Sequence, residues 1–144
     1  METVNFKFVL SSSDDQCPMT AEVWMDNVLL LSVPQLNQPV AFNHDFSDDD
    51  GEHELKIVLS GKTAAHTVID DTGNIVKDVT VEVSQVVIDD IDVNQLFLEK
   101  CVYEHDFNGS QPAVKATFHG IAGCNGAIIF KFSTPIYLWL LENM

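Results

Sequence analysis

Residues 44–63, HDFSDDDGEHELKIVLSGKT, put six acids, two histidines and a Gly-Lys-Thr triplet into twenty positions. Clustered carboxylates suggest a calcium loop, histidine beside glutamate suggests zinc, and Gly-Lys-Thr suggests a phosphate loop. Each chemistry imposes a spacing. An EF-hand loop takes oxygen ligands at positions 1, 3 and 5, glycine at 6 and glutamate at 12. With Gly51 at position 6, Asp48 and Asp50 fall at 3 and 5, but Phe46 and Ile57 occupy 1 and 12. A zinc helix would need a second histidine where Ile57 stands, and a phosphate loop would need glycine where Lys56 stands. All three fail. Asp48-Asp49-Asp50-Gly51 therefore reads as a solvated turn between strands closed by Phe46 and Leu55. No Gly-x-Ser-x-Gly elbow is present. The expectation is a non-enzymatic chain with no catalytic residue, no metal site and no cofactor.

Composition narrows the partners. There are 22 acids against seven lysines and no arginine, a formal charge of −15. Such a chain repels phosphate backbones and anionic headgroups, so neither nucleic acid nor membrane is expected as a partner. With 144 residues, 46% of them hydrophobic, the chain reads as one globular domain over residues 1–144. Cys17, Cys101 and Cys124 are odd in number and lack CxxC spacing. The start, METVNFKFVL, lacks a basic region followed by a long apolar run. Free thiols in a reducing cytosol are the expectation. Asn108-Gly109-Ser110 is then a chance glycosylation match.

Period-two alternation dominates the elements that must position these residues. Val4, Phe6, Phe8 and Leu10 share one strand face, and Leu55, Ile57 and Leu59 share another. TAEVWM and VLLLSV flank Asp26-Asn27, a two-residue hairpin turn of types that tolerate positive φ. QPVAFNHDF and HELKIVLSG read as a second hairpin, and HTVID with IVKDVTVEVSQVVI as a third turning at residues 71–74. Only DVNQLFLEK suggests a short helix. Eight to ten short strands punctuated by Gly, Asp and Asn predict an all-β fold, an antiparallel β-sandwich of jelly-roll type.

Two segments resemble a known pattern. GEHELKIVLSGK is similar to the G-x-H-x-L-x-V strand of carbohydrate-binding β-sandwich modules. VVIDDIDVNQLFLE resembles the later strand and short VNG-like turn of calcium-dependent xylan-binding modules, with Gln95 where that turn has glycine. The resemblance implies a β-sandwich, a surface carbohydrate as partner and calcium as a possible requirement of that family. In size, acidity and lack of an export signal, the chain also resembles small β-sandwich virion proteins of tailed phages, which implies a capsid or tail component.

Two aromatic features point to contacts. In Pro135-Ile-Tyr-Leu-Trp-Leu-Leu141, read as a strand, Ile136, Leu138 and Leu140 face one way and Tyr137, Trp139 and Leu141 the other. Both faces are apolar, so one needs a cover, and another subunit is the expected one. Trp24 falls outside the inner face of Ala21, Val23 and Met25, where it can stack a sugar or anchor an interface. The sequence thus predicts a structural or accessory protein of a phage particle, assembled in the host cytoplasm, working through Tyr137, Trp139, Leu141 and Trp24. A carbohydrate-binding module is the alternative, and a hydrolase with an unrecognised site stands third.

Overall fold

The computed structural model describes residues 3–13, 19–49, 51–61, 67–69, 71–72, 75–78, 80–105, 114–118, 120–122 and 126–143. Cys17, Cys124, Asp50, Asn74 and the 108–110 triplet lie outside the described residues.

Two antiparallel sheets face each other. The first joins β1 (Thr3–Ser12), β4 (Val40–Ser47), β8 (Val81–Ile88), β9 (Ile91–Asp92) and β12 (Ile121–Ala122), in the order β12-β8-β1-β4 with β9 on β8. The second runs β11 (Val114–Thr117), β10 (Val102–His105), β13 (Gly126–Ser133), β5 (Glu52–Ser60), β2 (Met19–Met25), β3 (Val28–Leu36). A small separate pair, β6 (Thr67–Ile69) with β7 (Ile75–Asp78), is the third expected hairpin, although the long run after it breaks between β7 and β8. The all-β antiparallel sandwich expected from the alternation is what the chain forms.

The alternation also set the strand phases correctly. Val4, Phe6, Phe8 and Leu10 are buried, as are Leu55, Ile57 and Leu59. Between the sheets lies a phenylalanine cluster: Phe8 stacks on Phe42 at 4.6 Å, and Phe6 meets Phe130 and Phe132 at 6.1 Å each. Each such ring contributes roughly 1.5–3 kcal/mol by leaving water. Cys101 is buried and free, and burial pushes its thiol far up, which leaves it unreactive.

Two expectations are corrected. β4 and β5 are not a hairpin: β4 pairs with β1 in one sheet, whereas β5 pairs with β2 and β13 in the other. The chain therefore passes from one sheet to the other between Ser47 and Glu52. Turn-forming residues reverse the chain equally well in either case. The second correction is at the C-terminal segment, which forms helix α2 (Ile136–Asn143) and not a strand. Both neighbours of β13 are already taken by β10 and β5, so no adjacent edge was left for it to join. Three leucines and a glutamate suit a helix, and the Pro135 carbonyl accepts the first helical bond from the Trp139 N–H at 3.2 Å. Helical spacing buries Ile136 and Leu140, one turn apart, and leaves Tyr137, Leu138 and Leu141 outside.

The suspected short helix is present as α1 (Asn94–Lys100), burying Leu96 and Phe97. Phe97 rests on Phe130 at 5.0 Å. Gln95 is thus helical, unlike the turn of the resembled pattern. Among the described residues no helix is long and apolar enough to cross a membrane.

Candidate functional site

β2 and β5 are neighbours, with Trp24 opposite Lys56 and Glu22 opposite Val58. Directly opposed residues of an antiparallel pair project to the same face, so these four stand together on the outside of the six-stranded sheet. Trp24 is half-buried there, in the phase the sequence predicted. It lines a groove of about 350 Å3 with Glu22, Asn27, Glu54, Lys56 and Val58. Asn27 enters from the β2–β3 turn, where Asp26 and Asn27 take φ of 52° and 66°. Those positive values are the geometry that a two-residue hairpin demands. Among the described residues, the side chains of Glu22, Asn27, Glu54 and Lys56 form no hydrogen bond or ion pair, and so face the groove uncommitted. An apolar ring framed by free polar groups can take an amphipathic ligand: the ring covers its C–H surface, and the carboxylates and amide meet its hydroxyls.

Beyond the hairpin turn the polar groups are arranged differently. His53 points one ring nitrogen at each of two carboxylates, Nδ1 to Asp26 Oδ2 at 2.6 Å and Nε2 to Asp49 Oδ1 at 2.8 Å. Its ring stacks on Phe132 at 5.4 Å, and its side chain is only 10% exposed. Asp26 Oδ1 also accepts the Glu54 N–H at 2.9 Å. The Thr134 hydroxyl donates to Asp49 Oδ1 at 3.0 Å and accepts the Gly51 N–H at 3.0 Å. Asp48 Oδ1 accepts the Ile136 N–H at 3.0 Å, satisfying a first-turn donor of α2. Burial pulls the His53 pKa down, but hydrogen bonds to Asp26 and Asp49, with their charges, outweigh it and hold the imidazole above its ordinary value. The hydrogen bond from His53, followed by that from Thr134, holds the Asp49 carboxyl below its ordinary value.

The described part of the opening acidic stretch is thus a junction. Asp48 and Asp49 tie the inter-sheet crossover to α2 and to His53. Among the described residues, no group of three acidic, histidine or cysteine side chains converges as a ligand set for the calcium that the family resemblance implies. Only the His53–Asp49 pair of this junction is local in sequence; His53 lies 27 residues from Asp26 and 81 from Thr134.

The four residues expected at a contact are dispersed. Trp24 is on the sheet face. Trp139 packs edge-on against Phe130 at 5.6 Å and Phe132 at 6.3 Å, and lines a second groove of about 440 Å3 beside His53. Tyr137 and Leu141 lie on the outer side of α2, 51% and 81% exposed, where the Tyr137 hydroxyl donates to Asp89 Oδ2 at 2.5 Å. They share one face with each other but not with Trp139, as one helical turn requires.

The architecture is an all-β antiparallel sandwich. A solved structure, vCBM60 in complex with galactobiose, aligns over 88% of this chain and 96% of its own, with a TM-score of 0.53 and 11% identity. At that identity the likeness is one of fold. No protein-family model and no curated protein sequence matches the chain.

Proposed function

We propose that this protein is a non-catalytic carbohydrate-recognition module that binds a glycan in the Trp24 groove. The observation that carries this reading is the half-buried Trp24 ring on a sheet face, framed by uncommitted Glu22, Asn27, Glu54 and Lys56. A rigid sheet holds those groups in place before a ligand arrives, which lowers the entropy lost on binding. The fold shared with a module solved in complex with galactobiose supports the same reading. A glycan array probed with the wild-type chain and with Trp24→Ala tests it. Binding to a saccharide that the substitution removes is expected; an array with no bound saccharide overturns the proposal.

A second reading keeps the expected particle component, capsid or tail, acting through contacts between copies of the chain. One observation favours it: α2 presents Tyr137, Leu138 and Leu141 outward, beside a groove of about 420 Å3 formed by Ile91, Tyr137, Leu140 and Leu141. Exposed side chains of this size are interface material. Sedimentation at rising concentration tests it: a species heavier than the monomer, reverted by Leu141→Glu, is its expected result, and a monomer throughout opposes it.

A further inference from the structure

We infer that the Trp24 groove is one half of a longer cleft, so that the ligand is a neutral oligosaccharide and not a single sugar. This rests on the glycan reading of the Trp24 groove. Glu54 lines both the Trp24 groove and the one bounded by Asp26, Glu52, Lys131 and Trp139. The hairpin turn contributes one residue to each, Asn27 to the first and Asp26 to the second. The two hollows therefore meet along one wall.

Strand register sets the length. Lys131 of β13 lies opposite Glu54 and Lys56 lies opposite Trp24. With strands about 4.8 Å apart and same-face residues about 6.7 Å apart along a strand, Trp24 and Lys131 stand roughly 12 Å from one another. That distance exceeds one pyranose ring. Volumes of about 350 and 440 Å3 each fall within the usual range for ligand sites of about 300–1,000 Å3. Each half holds one tryptophan and several polar groups; among the described residues the side chains of Glu52, Glu54 and Lys131 form no hydrogen bond or ion pair. Glu22, Glu52, Glu54 and Asp26 outnumber Lys56 and Lys131 in the lining, and in a chain of charge −15 that balance disfavours uronates and sulfated glycans against neutral sugars.

The test is an array of neutral galacto-, gluco-, manno- and xylo-oligosaccharides graded from two to six units, read with wild type, Trp139→Ala and Lys131→Ala. Lys131 is exposed, so its substitution leaves the fold intact even if loss of Trp139 does not. Binding should strengthen by about tenfold between two and four units, and both variants should lose that gain while still binding the disaccharide. Binding that is independent of length, or a gain that survives Lys131→Ala in the folded chain, overturns the long cleft and leaves the Trp24 groove standing. Absence of binding at every length overturns both.

Discussion

The outer face at Trp24 and the sandwich end at His53 use the same kinds of residue in opposite ways. Each has an aromatic surface beside glutamate or aspartate. At the His53 junction three acids are taken: Asp26 and Asp49 hold His53, and Asp48 holds the start of α2. On the sheet face, Glu22, Glu54 and Lys56 have none among the described residues. Groups that satisfy one another stabilise the fold and have little left for a ligand. Groups held in place by strands and left unsatisfied are available to one. Acid density alone therefore does not locate a site; commitment does.

Exchanging the aromatic residues of the two regions' chemistry should separate binding from stability. Trp24→Ala should weaken glycan binding by about 2 kcal/mol, roughly thirtyfold, as for an interface anchor. Its melting temperature should barely move, because the ring contributes little to the core. Calorimetric titration beside a thermal melt checks both halves. His53→Ala should do the reverse, costing about 2 kcal/mol of stability through lost charge-assisted hydrogen bonds and ring packing, with disaccharide binding changed by less than about threefold. A His53→Ala chain that melts like wild type would end the contrast.

The contrast depended on pairings that the sequence hides. Strand phases were readable because Leu55, Ile57 and Leu59 alternate with Glu54, Lys56 and Val58, and burial of one face enforces that pattern. Trp24 was placed on the correct face for the same reason. That β2 lies beside β5, and so brings Glu54 and Lys56 to Trp24, follows from long-range pairing that alternation does not encode. The C-terminal segment was misread because Ile136, Tyr137 and Trp139 favour strands by type. What decides the matter is that β13 is flanked on both sides. The polar junction stayed hidden because Asp48 and Asp49 are turn formers by residue type and, apart from the nearby His53, their partners Thr134 and Ile136 lie in a distant segment.

Acidity sharpens the comparison with a smaller effect. His53 has a raised folded pKa, so its contribution is complete below the ordinary histidine value near 6.5 and is lost as pH rises through the folded value. Asp49 has a lowered folded pKa; its contribution is present above the ordinary value near 4 and is lost as pH falls through the folded value. The junction should therefore be firmest between about pH 4 and 6.5. Chemical denaturation across pH should show stability declining above that window, and His53→Gln should flatten the decline. Smallest of all, Leu141→Ala should change stability by no more than about 0.5 kcal/mol, since its side chain is 81% exposed.

Nuclear magnetic resonance mapping of the backbone and tryptophan indole signals during titration with a disaccharide that the array shows to bind tests the central claim most directly. Shifts concentrated at Glu22, Trp24, Asn27, Glu54 and Lys56, with Asp48, Asp49 and Thr134 unmoved, are the predicted result. Shifts centred on the outer side of α2 or on the Asp48–Asp49 junction, with the Trp24 indole silent, would contradict it.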